Sequence, residues 1–303
     1  MPAMTTLSGI IPPLATPLSD ERRIDEAGLR GLVRYVLDAR VHALFVMGST
    51  GEFNALSREE RRFAVETVVD EVGGSVPVLA GVSDAGTELA ARNAKDAETA
   101  GADAVVAVLP YYSPLYTQQA ALDHFRHIAR STNLPLVVYN VPQATKGVVE
   151  VETIRTLAEE GTAAAVKESS TDFTYFQDLL FRLSDMPHIR VFQGSEFHLA
   201  SSVFMGAHGG VLGISNLVPG LCVQLYEAAS SGRIDEAREL QRRLTQVCQV
   251  FWAGESVVGS LKAAMSILGI CSPVTTMPIP SASEESRRKI RKIVESCGLT
   301  GRA

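Results

Sequence analysis

Short apolar runs alternate with longer stretches of helical periodicity through the first two thirds of the chain. The runs are GIIPPLA (9–15), HALFVMG (42–48), VPVLAG (76–81), DAVVAVLP (103–110), LPLVVYN (134–140), AAAVKE (163–168), IRVFQG (189–194) and GGVLG (209–213). Each is apolar at consecutive positions rather than at every second one. That is the signature of parallel strands covered on both faces. Between them lie amphipathic segments with start signals. Asp25 precedes EAGLRGLVRYVLDA, and Ser57 with Glu60 forms a capping box before RRFAVETVVDEV. Eight strand and helix units in one chain predict a TIM (β/α)8 barrel rather than an open doubly wound sheet. No GxGxxG turn follows the first strand, which argues against a dinucleotide-binding fold.

Beyond about residue 218 the pattern is purely helical: GLCVQLYEAASSG, IDEARELQRRLTQVCQVFW, SVVGSLKAAMSILG and SEESRRKIRKIVESCG. The first of these closes the barrel as its eighth helix. The expected organisation is therefore a barrel over 1–232 and a C-terminal helical extension over 233–303 packed on it.

Composition narrows the function. The chain has 303 residues, 46% of them hydrophobic and 20% charged, with a net charge of −6. An acidic balance without a Lys/Arg cluster argues against a nucleic-acid surface. The basic stretch RRKIRK (287–292) follows Glu284 and Glu285 and reads as the solvated face of a helix. No apolar run approaches the roughly 20 residues of a membrane span. The N-terminal segment has no basic residue before Arg22 and contains several prolines, unlike a signal or transit peptide. A cytoplasmic protein is expected. Cys222, Cys248, Cys271 and Cys297 are widely spaced, with no CxxC pair, and are expected to be reduced thiols. No strand end offers the His and carboxylate set of a metal site, and His124 and His127 read as surface or packing histidines on one helix face.

A barrel places its reactive groups at the C-terminal ends of its strands. Strand 2 ends in GSTGE (48–52), strand 4 in PYYS (110–113), strand 5 in Tyr139 and Asn140, and strand 6 in Lys167 and Glu168. Of six lysines, only Lys167 follows directly from a buried strand. An amine in apolar surroundings loses the solvation of its charged form and becomes a nucleophile that forms Schiff bases with carbonyl compounds. The competing reading is a lysine that snorkels to the rim or pairs with Glu168. Tyr139, on the neighbouring strand, supplies a phenol able to pass protons to and from such an adduct. The hydroxyls of Ser49 and Thr50 and the backbone amides of GSTGE suit a small anion such as a carboxylate. Together these residues point to a 2-oxo acid.

The set GSTGE (48–52), PYYSP (110–114), YNVP (139–142), VKESS (166–170), GSE (194–196) and GGVLG (209–213) resembles the dihydrodipicolinate synthase and N-acetylneuraminate lyase superfamily of Schiff-base aldolases. The resemblance implies that Lys167 forms the Schiff base and that Tyr139 moves protons above it. It implies that Ser49 joins a hydroxyl relay to Tyr112 of a neighbouring subunit. Thr50, with the amides around Gly48 and Gly51, would bind the pyruvate carboxylate, while Gly194 and the main chain near Leu212 would line the pocket. It further implies a homotetramer built as a dimer of dimers, no metal or organic cofactor, and a 2-oxo acid and an aldehyde as the small-molecule partners.

The sequence departs from the family pattern at Ala144, where synthases of this family carry an arginine that grips a second carboxylate. Without that guanidinium a second anionic substrate loses a bidentate partner, and Lys146 is only a point charge on a flexible stem. The segment FNALSREE (53–60) lacks the histidines of lysine-inhibited synthases. The expectation is a carbon–carbon lyase acting on pyruvate or a pyruvate-yielding 2-oxo acid, such as a 2-keto-3-deoxy sugar acid. A sugar-acid dehydratase, a dihydrodipicolinate synthase and a non-catalytic binding barrel are the alternatives.

Overall fold

The computed structural model describes residues 6–113 and 117–299; Pro114, the last residue of the PYYSP motif, lies outside them. Eight parallel strands form one sheet in the order β1-β8-β7-β6-β5-β4-β3-β2. They are β1 (Gly9–Ile10), β2 (Leu44–Val46), β3 (Val78–Gly81), β4 (Ala104–Ala107), β5 (Leu136–Asn140), β6 (Ala163–Glu168), β7 (Arg190–Gln193) and β8 (Gly209–Gly210). A parallel bridge from Pro13 to Phe45 closes the ring between β1 and β2, reinforced by Phe45 N–H donating to the Pro12 carbonyl at 2.9 Å.

Every predicted strand is present, and β6 spans the same residues as its apolar run. The other seven are shorter than their runs, the first and last most of all at two residues each. Pro12 and Pro13 have no N–H to give to a ladder, and after Gly210 the chain passes into a 3-10 turn at Gly213–Asn216. The seam between β1 and β8 is glycine on both sides. A Cβ at Gly209 would lie 1.9 Å from the Gly9 carbonyl oxygen, so this pairing admits no side chain there.

The helices that wrap the barrel are α1 (Glu26–Asp38), α2 (Arg58–Val72), α3 (Thr87–Thr99), α4 (Gln118–Arg130), α5 (Val151–Glu159), α6 (Phe173–Arg182), α7 (Leu199–Phe204) and α8 (Pro219–Ser230). Asp25 caps α1 by accepting from Gly28 N, and Ser57 and Glu60 form both bonds of the capping box at α2. Three more helices follow: α9 (Ile234–Val247), α10 (Val257–Ile267) and α11 (Glu284–Ser296). The basic stretch lies on α11, as its charge pattern predicts. No helix among the described residues is long and apolar enough to cross a membrane.

The core has two layers. Inside the barrel, Ile11, Phe45, Leu79, Val106, Val137, Tyr139, Ala165 and Phe192 pack on one another. A larger layer lies between the strands and the helices. The four cysteines are free, Cys222 and Cys248 fully enclosed in this outer layer.

The two histidines of α4 part company. His127 is exposed and pairs with Glu88 at 2.9 Å, whereas His124 is buried, its Nδ1 2.9 Å from Thr87 Oγ1 and its Nε2 3.0 Å from the Val108 carbonyl. That carbonyl requires a proton on Nε2, so Nδ1 accepts from the threonine and the ring is neutral. Burial pushes its pKa down to about 4. The unfolded chain takes up this proton near pH 6.5 and the folded one does not until about 4, so stability is lost as pH falls between those values. Urea unfolding at pH 7 and pH 4.5 should show the wild type losing about 2 to 3 kcal/mol more than His124→Asn. Equal losses would contradict the assignment.

Candidate active site

Strand alternation decides where Lys167 points. Tyr139 on β5 stands opposite Lys167 on β6, and Asn140 stands opposite Glu168. Successive side chains leave a strand on opposite faces. Tyr139 and Lys167 enter the barrel interior, while Glu168 turns outward, where its Oε1 accepts from Asn140 Nδ2 at 3.2 Å and Ser170 N at 2.7 Å. Lys167 is 5% exposed, so it neither snorkels to the rim nor pairs with Glu168. Its Nζ sits 3.9 Å from the centre of the Tyr139 ring and 5.1 Å from that of Phe45.

The amine stands in a cavity of about 280 Å³ at the C-terminal end of the barrel. Thr50 lines it from the turn after β2, Val141 and Gln143 from the loop after β5, and Ser169 and Thr171 from the loop after β6. Gly194 to Phe197 contribute from the end of β7, and Val211 and Gly213 from that of β8. A Cβ at Gly213 would lie 3.4 Å from Glu196 Oε1 and 3.6 Å from Thr50 Oγ1, so both polar groups converge on the same wall.

Glu196 is the functional candidate that sequence reasoning passed over, although GSE was noted as a motif. Its Oε1 accepts from Ile214 N at 3.2 Å. Burial raises its pKa, against the pull of the backbone N–H groups and of Lys167. Its position just beyond the end of β7, on the face where barrels place chemistry, was the available signal. The second omission is the outer wall. Phe251 and Trp252, in the 3-10 segment Cys248–Trp252, and Val257, Val258 and Leu261 of α10 close the cavity from the C-terminal helices.

Other predicted site residues lie further out. Ser49 is exposed in the turn Ser49–Gly51, and Gly48 and Gly51 are buried beside the cavity without lining it. Val211 and Gly213, rather than Leu212 between them, form the wall after β8. Ala144 and Lys146 are exposed and do not line the cavity. Tyr112 is 83% exposed, well outside its own chain's cavity. A larger cavity, about 510 Å³, lies between α1, α8 and the C-terminal helices. None of its lining residues is on a strand, and Asp38 and Arg243 are its charged groups. The amine, phenol, hydroxyls and carboxyl all meet in the smaller one.

The model of the dihydrodipicolinate synthetase family matches residues 6–297. The chain belongs to that family. Its relatives include a DapA-like lyase of uncharacterised function from Halobacterium salinarum, 34% identical over 97% of this chain and 95% of that protein. Another is a 4-hydroxy-tetrahydrodipicolinate synthase from Methanopyrus kandleri, 35% identical over 97% of each. Among solved structures, dihydrodipicolinate synthase from Bacteroides thetaiotaomicron superposes with a TM-score of 0.91 at 37% identity, covering 96% of this chain and 98% of that one. The prophage protein YagE of Escherichia coli K12, solved with pyruvate, gives 0.93 at 26% identity, covering 96% and 99%. The fold is thus the family's TIM barrel, and the protein is a lyase of the dihydrodipicolinate synthetase family.

Gly194, which lines the cavity, sits at a close approach between the ends of β6 and β7. A Cβ there would meet Ser169 Oγ at 1.8 Å and the Glu168 carbonyl at 2.7 Å, and backbone cannot swing aside as a rotamer can. Gly194→Ala should therefore cost about 1 to 3 kcal/mol of stability, measured by urea unfolding. An unchanged midpoint would mean that the turn after β6 yields instead.

Proposed function

We propose that this protein is a class I lyase that cleaves, or in reverse forms, a 4-hydroxy-2-oxo acid by way of a Schiff base on Lys167. The observation that carries the reading is the buried Lys167 amine over the Tyr139 ring at 3.9 Å, inside a cavity open at the strand ends. The amine attacks the C2 ketone, and the carbinolamine loses water to give an iminium. Removal of the C4 hydroxyl proton then breaks the C3–C4 bond, an aldehyde leaves, and the bonding pair enters the iminium to form an enamine. Protonation at C3 and hydrolysis release pyruvate and restore the lysine. Tyr139 is the proton carrier over the nitrogen, and Thr50, with the amides around Gly48 and Gly51, takes the carboxylate.

The substrate we favour carries one carboxylate and further hydroxyls, as a 2-keto-3-deoxy sugar acid does. No arginine is among the residues that line the cavity, and Ala144 stands where a synthase carries one. The Glu196 carboxyl and the Gln143 side chain line the cavity and are the polar groups that could meet substrate hydroxyls. The names of several relatives favour a second reading, condensation of pyruvate with aspartate semialdehyde. The same Schiff base would also serve a dehydratase, in which water leaves instead of an aldehyde. The reading includes a cytoplasmic homotetramer, a dimer of dimers, in which Ser49 meets Tyr112 of the partner subunit. The exposure of both residues supports this.

Borohydride added with pyruvate should fix one three-carbon adduct on Lys167, located by intact mass and peptide mapping. Lys167→Ala should show none and lose at least about 10³-fold in kcat while keeping its fold. An adduct on other lysines, or an active Lys167→Ala enzyme, would sink the mechanism. Pyruvate and aldehyde released from a 2-keto-3-deoxy sugar acid support the favoured substrate. A dehydrated 2-oxo acid, or faster turnover with aspartate semialdehyde, would replace it with one of the alternatives.

A further inference from the structure

Lys262 follows the cavity-lining Leu261 on α10, and it has no exposed surface; nor has Glu52, which closes the GSTGE turn. Lys262 Nζ donates to Glu52 Oε1 at 2.8 Å and to the Thr16 carbonyl at 2.8 Å. The other carboxylate oxygen, Glu52 Oε2, accepts from Thr276 N at 2.6 Å and from Thr276 Oγ1 at 2.8 Å. Thr16 Oγ1 in turn donates to the Gly51 carbonyl at 2.7 Å. The segment after β1, the turn after β2 and the C-terminal helices are thus joined at one buried point.

Stability alone does not call for such a pair. Taking two charges out of water costs about what their attraction returns, and an apolar pair of the same volume serves as well or better. What an apolar pair lacks is direction. Each bond here fixes an angle as well as a distance, and Glu52 is held at φ 59° and ψ 30°, a left-handed conformation that non-glycine residues keep only where their surroundings fix it. Thr50, which lines the cavity, is two residues before Glu52, and the cavity wall of Val257, Val258 and Leu261 leads directly to Lys262.

We propose that the Glu52–Lys262 ion pair is a positioning device that sets Thr50 and the α10 wall against Lys167 and so governs binding of the 2-oxo acid. The proposal rests on the Schiff-base reading of the site. Glu52 and Lys262 touch no reacting atom; they act through Thr50 and the wall. Removing the pair should therefore weaken the hold on the substrate and leave the amine chemistry in place at saturation.

The test compares the wild type with Glu52→Gln/Lys262→Met, in which both charges are removed together so that neither is left buried alone. Borohydride trapping at saturating pyruvate should still label Lys167 in the double variant, with kcat within about 3-fold of the wild type and KM for pyruvate raised about 10-fold. A merely structural pair would lower the melting temperature without moving KM, so a KM within about 2-fold of the wild type overturns the proposal. Should the double variant fail to fold, Thr276→Val removes one bond to Glu52 and leaves the charges in place. It is expected to raise KM about 3-fold, and an unchanged KM overturns the proposal equally. A wild type that pyruvate and borohydride do not label overturns the Schiff-base reading and this proposal with it. A labelled wild type with an indifferent double variant overturns the positioning role alone.

Discussion

Lys167 lies inside the barrel because β6 runs one residue past it before turning, and alternation along the strand leaves it no other direction. An ammonium in that place has lost most of its water, and no carboxylate on its own strand replaces it. What surrounds it instead are the faces of Tyr139 and Phe45 and, across the cavity, the Glu196 carboxyl. The aromatic faces offer a cation a weak attraction that does not occupy its lone pair once the proton has gone. Any reaction of the amine with a carbonyl therefore starts from a group that is enclosed and oriented but not tied up in a salt bridge.

That enclosure depends on parts of the chain far from β6. The barrel is closed by the Pro13–Phe45 bridge, which also brings Phe45 beneath the amine. The glycine seam between β1 and β8 lets the last strand approach closely enough for the β8 loop to form a wall. The C-terminal helices complete the enclosure, with Phe197 against Trp252 at 5.3 Å between ring centres, so the outer wall is made by the barrel and the helices together. A barrel deprived of those helices would lose five of the nineteen residues that line its cavity.

These dependencies explain which features the sequence reveals. Parallel strands buried on both faces appear as apolar runs, and AAAVKE is such a run with its one polar end at the site. Reading Tyr139 and Lys167 as neighbours needed only the strand order and the rule that barrels work at their C-terminal face. Lys262 carries no comparable mark. SVVGSLKAAMSILG reads as a helix with a single lysine among small and apolar residues. Lys262 is buried because Glu52, 210 positions away, receives its charge, and that pairing has no trace in local periodicity. His124 shows the same limit. Its spacing from His127 placed both on one helix face, yet only the packing of Thr87 and Val108 makes one of them an interior group.

Charge accounting bears on what the cavity accepts. Lys167 and Glu196 are the only amine and the only carboxyl among its lining residues. Burial raises the pKa of Glu196, and the backbone N–H groups around it and the charge of Lys167 oppose that shift. In the proposed mechanism one substrate carboxylate would be met by the iminium charge and the amides near Thr50. A second would find no fixed cation, and in a confined space an unpaired carboxylate costs several kcal/mol. A hydroxyl chain meets no such penalty, since the Glu196 carboxyl and the Gln143 amide offer it polar partners. The charges of the cavity lining thus support the proposed monocarboxylate substrate with neutral polar groups at its far end, on a ground separate from the substitution at Ala144.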